Sequence, residues 1–195
     1  MVNDGTTSFF QEYIKKATCM RLSQYCRKTP FTIKDCDETS NSNALSEEMS
    51  IIMLWSSVGS IILKIHFNMK MATKLASITL GRDESEISSK VAREFCTEIS
   101  NMQASYMRGV LEKHDIYFGM SLPFLVAGED EVIFRKVRDP RASTSVWKLC
   151  SDDNELICTS EVMLFESNPF EKIRSMLEID IVDVGNKATG DVVFL

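Results

Sequence analysis

Apolar residues near the start of the chain fall at Phe9, Phe10, Tyr13, Ile14, Ala17, Met20 and Leu22, close to the three-and-four spacing of one helix face. The spacing predicts a helix from residue 7 to about 27, stopped ahead of Pro30. Thr29–Cys36 alternates as a short strand, and 37–46 is a polar loop rich in Ser, Asn and Thr. Two apolar runs, Ile51–Trp55 and Ile61–Phe67, flank Ser57-Val58-Gly59-Ser60 and read as a hairpin. A second helix is expected over Lys70–Leu80, closed by Gly81 in the capping place. The strongest helical pattern follows. Asp83 with Glu86 reads as a capping box, and no Pro or Gly interrupts the run to Arg108. Its apolar stripe is Ile87, Val91, Phe95, Ile99, Met102, Tyr106 and Val110.

Strand-like runs come next, at Ile116–Val126, Val132–Val137, Ser145–Leu149 and Leu156–Phe165, separated by turn signals at 128–130, 139–140 and 152–154. The order is helix, three strands, two helices, then several strands. That order predicts an α+β domain with long helices on one antiparallel sheet. Residues 1–168 are read as this domain. Residues 169–195, a short helix and two small strand-like pieces, are read as a C-terminal appendage of unassigned role.

Composition narrows the picture. A chain of 195 residues, 44% hydrophobic and 26% charged, suits one globular domain. Its 22 basic and 28 acidic residues leave a net charge of −6, which argues against a nucleic-acid-binding face or an anionic-membrane patch. The six cysteines include no Cys-x-x-Cys pair, and His66 and His114 are the only histidines, so no metal site is expected. The apolar stretch from Met49 to Phe67 is broken by Ser56, Ser57, Gly59, Ser60 and Lys64, which fits a hairpin better than a membrane span. With no basic-then-apolar leader at the N-terminus, a cytoplasmic protein with reduced thiols is expected. Neither a Gly-x-Ser-x-Gly elbow nor a Gly-rich phosphate loop is present. Cys96 reads as a small core hydrophobe, His66 as structural and His114 as a helix-end residue.

On the long helix, Glu94, Glu98, Asn101, Ser105 and Arg108 step by four, three, four and three, so they share one polar face. Glu98 and Asn101 are neighbours on it. Glu94 and Glu98 are like charges one turn apart, and Lys90 is placed to offset Glu94. A polar stripe on a solvated helix is ordinary and by itself assigns nothing.

Glu98-Ile99-Ser100-Asn101 on such a helix, followed by Pro123 in Ser121-Leu122-Pro123, resembles the CheX and CheC family of chemotaxis phosphatases. That family carries a Glu-x-x-Asn helix and a downstream proline, and its element order is similar across roughly residues 7–165. A single such helix is closer to CheX than to CheC, which has two. The resemblance implies a CheC/CheX-like α+β fold. It also implies phosphatase activity on a phosphorylated CheY-type receiver domain. Asn101 would hold the attacking water against the aspartyl phosphate, and Glu98 would dock on the receiver's lysine. No cofactor is implied on this chain, the Mg²⁺ being supplied by the receiver. Relatives pair their exposed strands across a dimer, so a symmetric homodimer is implied as well. Glu94 stands where CheC-type sites carry Asp or Ser, and the Asn101-to-Pro123 spacing is about one residue short of the CheC pattern. The rival reading is a non-catalytic docking module like the flagellar-switch relatives, in which Glu98 matters and Asn101 does not. A hot-dog thioesterase, which wraps one central helix, fits three helices less well.

Overall fold

In a computed structural model of the chain, the described residues are 4–26, 29–35, 48–127, 139, 141–151, 154–166, 169–171, 174 and 177. They form α1 (Asp4–Tyr25), β1 (Thr32–Asp35), β2 (Glu48–Trp55), β3 (Gly59–Phe67), α2 (Met69–Leu80), α3 (Ser89–Glu112), β4 (Gly119–Met120), β5 (Phe124–Ala127), β6 (Ser143–Ser151) and β7 (Asn154–Leu164). The strands make one antiparallel sheet in the order β1-β6-β7-β3-β2-β4, with β5 also on β2. This is the expected α+β architecture.

The sheet is two-faced because its strands alternate. Ile52 and Leu54 on β2, Ile61, Leu63 and Ile65 on β3, Trp147 and Leu149 on β6, and Leu156, Cys158 and Val162 on β7 enter one core with the helices. α1 packs against β1, β6 and β7, α3 packs against β2 and β3, and α2 lies on α3. Buried polar groups pair inside the core: between α1 and the sheet, Gln11 donates to the Ser143 carbonyl at 2.8 Å and Ser160 donates to Gln11, and between the two helices Gln103 of α3 donates to Thr18 of α1. On the opposite sheet face, Lys64 and Glu161 form a buried ion pair in the wall of a pocket that also takes in Ile51, Met53, Ile62, Phe124 and Met163. His66 is buried there, its Nε2 3.3 Å from the Thr159 hydroxyl.

Several expectations shift. The long helix does not start at an Asp83–Glu86 capping box. Glu84–Glu86 is a separate 3₁₀ turn that ends at Ile87, and the Asp83 side chain makes no cap hydrogen bond. Ile87 drops into the core in an extended conformation, so the helix restarts behind it, capped by Ser88, whose side chain accepts from the Val91 N–H at 3.3 Å. α3 also runs beyond Arg108, through Gly109, to Glu112. Its most buried line is turned from the expected stripe toward Ala92, Cys96, Ser100, Gln103, Met107 and Leu111, because α1 covers one flank and α2 the other. The single strand expected over 116–126 is two strands, with Ser121–Pro123 between them.

Gly81 caps α2 in the left-handed conformation at φ 65°, as its position predicted. The hairpin is longer than its apolar runs, with Trp55 paired to Ser60 around Ser56–Val58. Residues 37–46 and Val132–Val137 lie outside the described residues. At the C-terminal end, Phe170 and Leu177 are buried in the same core cluster. Phe170 packs edge-on to Phe10 at 5.2 Å, and the Arg174 guanidinium lies 5.0 Å over the Phe9 ring. The core therefore continues past residue 168. No helix among the described residues is long and apolar enough to cross a membrane.

Candidate functional site: the polar face of α3

α3 is amphipathic over 24 residues, which fixes what it hides and what it offers. The hidden side holds Phe95, Cys96, Ile99 and Ser100, and the opposite side carries Glu94, Glu98, Asn101, Ser105 and Arg108. Glu98 is exposed and Asn101 half-buried. Three residues apart, they stand side by side as the spacing required. Among the described residues neither side chain is hydrogen-bonded or ion-paired. A carboxylate acceptor and an amide carrying both donor and acceptor are thus presented together to solvent.

The flanks of this pair are tied down. Toward the helix start, Lys90 reaches Glu94 at 3.8 Å, the offset expected from the sequence. Arg93 forks onto Glu48 at the head of β2, with Nε–Oε2 at 2.7 Å and Nη2–Oε1 at 2.6 Å. This bidentate pair fixes the rotation of α3 on the sheet. Toward the helix end, Arg108 pairs with Glu112 at 3.3 Å. On one side α1 closes in: Tyr25 stacks on Phe95 with ring centroids 5.6 Å apart, and the Arg21 guanidinium lies 5.3 Å over the Tyr106 ring. Burial raises the pKa of the Tyr25 hydroxyl, and the nearby Glu98 carboxylate raises it further.

On the other side, Ser105 meets the Met120 sulfur at 3.8 Å. There the chain leaves β4 for the Ser121–Pro123 loop. Leu54 faces Met120 while Ile51 faces Phe124, so Ser121, Leu122 and Pro123 oppose only Ile52 and Met53. That is a β-bulge, and Pro123 sits in it, where a missing N–H costs no ladder bond. The Ser121 N–H donates to the Met53 carbonyl at 2.9 Å, and its hydroxyl accepts from the Met53 N–H at 3.0 Å. Sequence reasoning named Pro123 but missed this pinning, the Glu48–Arg93 fork and the approach of Tyr25. Each joins residues far apart in the chain.

Cys96, between Glu94 and Glu98, is no nucleophile. It is buried, and burial pushes its thiol far above the usual range, with Glu48 and Cys26 adding to the effect.

No protein-family model and no curated protein sequence matches the chain. Solved structures do. CheX in the CheX–CheY–BeF₃–Mg²⁺ complex from Borrelia burgdorferi superposes with a TM-score of 0.58 at 16% identity, covering 79% of this chain and 97% of that one. The chemotaxis protein CheX from Vibrio vulnificus gives 0.57 at 15% identity, covering 82% and 99%. The FliM–SpeE complex from H. pylori gives 0.56 at 11% identity, covering 90% and 97%. At these identities the likeness speaks for the backbone and leaves function to the side chains. With its order of helices, its antiparallel sheet and its long α3, the chain has the CheC/CheX-like fold.

Proposed function

We propose that the chain is a phosphatase of a phosphorylated CheY-type receiver domain, acting through Asn101 and docking through Glu98. The observation that carries this reading is the paired presentation of Glu98 and Asn101, uncommitted and facing solvent on α3, in a fold shared with a CheX solved in complex with CheY, BeF₃ and Mg²⁺. An aspartyl phosphate beside its own bound Mg²⁺ lacks only a water held in line with the phosphorus. The Asn101 amide, inserted alongside, accepts from that water and donates to the phosphoryl oxygens, so its contribution is positioning rather than proton abstraction. The Glu98 carboxylate, one turn away, pairs with a lysine on the receiver and sets how deeply Asn101 reaches. The Mg²⁺ belongs to the receiver, and the reaction asks for no cofactor on this chain.

The decay of a phosphorylated receiver tests both roles. Asn101→Ala is expected to abolish the acceleration, by 10²-fold or so, while binding persists. Glu98→Ala is expected to weaken binding first. Undiminished decay with Asn101→Ala overturns the catalytic assignment. Acceleration absent in the wild type, with binding that still depends on Glu98, assigns the chain to the docking reading instead. The likeness to FliM in its SpeE complex is the observation that favours that second reading. Among the described residues β1 stands at one edge of the sheet and β4 with β5 at the other, and a symmetric homodimer that pairs edge strands is proposed. Light scattering at micromolar concentration checks it, and a monomer there removes it.

A further inference from the structure

Three contacts seat α1 on α3. Thr18 accepts from the Gln103 amide, the Arg21 guanidinium lies 5.3 Å over the Tyr106 ring, and Tyr25 stacks on Phe95 with centroids 5.6 Å apart and planes 18° apart. Residues 18, 21 and 25 step by three and four along one side of α1, so they hold the helix as a unit and fix where Tyr25 stands. Phe95 is buried one turn before Glu98 on α3, which brings the tyrosine stacked on it to the flank of the Glu98 carboxylate. The stacking uses the ring alone. Among the described residues the Tyr25 hydroxyl makes no hydrogen bond, whereas the phenol of a part-buried tyrosine ordinarily finds a partner. Phenylalanine would pack on Phe95 as well, so the fold leaves the oxygen unused. Burial, and then the charge of Glu98, keep that hydroxyl protonated past the ordinary tyrosine range. A neutral hydroxyl can donate to a carboxylate and accept from a cation at once.

We propose that Tyr25 is a second docking residue of the candidate site, and that its hydroxyl and the Glu98 carboxylate together receive one primary ammonium group, the lysine side chain of the partner. An ammonium carries three donors and no acceptor, so a carboxylate and a phenol oxygen set side by side suit it. A guanidinium suits them less, because its flat fork is matched by the two oxygens of Glu98 alone. Stacking fixes the ring before the partner arrives, so little ordering cost attaches to the contact. The inference rests on the reading of Glu98 as the group that docks on the receiver, and adds to it a specificity-determining residue from another element.

The test uses the full chain with a CheY-type receiver domain loaded with beryllofluoride and Mg²⁺, alongside decay of the phosphorylated form. Tyr25→Phe keeps the ring and its stacking. It is expected to raise the dissociation constant about five- to twentyfold, toward the lower end of what a hydrogen bond to a charged group contributes. The loss appears in the half-saturating receiver concentration. In a Glu98→Ala background the same change is expected to cost less than about twofold, since both residues grip one ammonium. Losses that simply multiply in the double variant place the two residues on different groups and overturn the proposal. So does Tyr25→Phe binding within about twofold of wild type while Glu98→Ala weakens it, an outcome that leaves the site reading intact. A melting temperature that falls along with the binding assigns the hydroxyl to the fold and overturns the proposal as well. A wild-type chain that binds no receiver overturns both.

Discussion

A methyl group on Gly59 would stand 2.8 Å from the Met163 carbonyl oxygen and 3.3 Å from a Leu164 methyl. The glycine is there for a close approach of β3 to β7, not for a turn, although it follows directly on the hairpin loop. Because the obstructing atom is backbone, the two strands must separate to admit alanine. Gly59→Ala is expected to cost about 1–3 kcal/mol in denaturant unfolding, as overpacking does. Stability unchanged within experimental error would mean that the β3–β7 contact yields freely. At the same scale, Glu98 and Asn101 were legible in the sequence as neighbours, because helical spacing alone puts them together. What they lie beside was not legible. Tyr25, and Met120 by way of Ser105, reach this face through tertiary packing, and no local pattern carries that.

Among the elements, α3 was the most legible and its first turn the least. Long-period apolar spacing identified the helix, but acidic residues at 83, 84 and 86 imitate a helix start. The buried demand of Ile87 overrides that imitation and delays the helix to Ser89. Gly109, inside the last turns, has nothing within 4 Å of where a Cβ would lie. Gly109→Ala should therefore stabilise the protein by about 0.5–1 kcal/mol, through backbone entropy alone. A loss of stability would mean that the open side of α3 is occupied by something else. The split of β4 from β5 is a lesson of another kind. Apolar alternation runs through 116–126 without showing a break, and only the proline marks one.

For the molecule as a whole, the sequence conveyed the single sheet with helices on one face, since the apolar side chains that β2, β3, β6 and β7 supply to the core fall on alternate positions even where the other face is buried as well. It conveyed less of where the core ends, because Phe170 and Leu177 look like members of a separate short helix until α1 is folded beneath them. The core also holds acidic groups that resist ionisation. Burial pushes the Cys26 thiol up to about 11, with the Thr79 hydrogen bond pulling weakly the other way, and raises Cys96 as well. In each case the folded pKa lies above the unfolded value near 9, so the folded state holds its proton more tightly. For Cys26 the associated stability is fully present below pH 9 and is lost as the pH rises from 9 through 11. For Cys26 alone this amounts to roughly 2–3 kcal/mol by pH 11. Unfolding free energies measured from pH 7 to 11 should stay level and then fall. Cys26→Ala should soften the fall, and a level curve to pH 11 would contradict it.

The buried Lys64–Glu161 pair has a further meaning once the strand alternation is considered. Lys64 faces Thr159 across the β3–β7 ladder, and Glu161 is the next residue of the same face along β7. If β7 slipped by one position, every side chain on it would change faces, and Glu161 would enter the layer occupied by Cys158 and Val162 while Lys64 lost its carboxylate. Stranding one member of a buried pair costs about 3–5 kcal/mol, comparable to much of a domain's total stability. The two charges therefore act as a key cut for one alignment. They add little to the depth of the folded state, and they make the neighbouring misaligned sheet too expensive to compete with it.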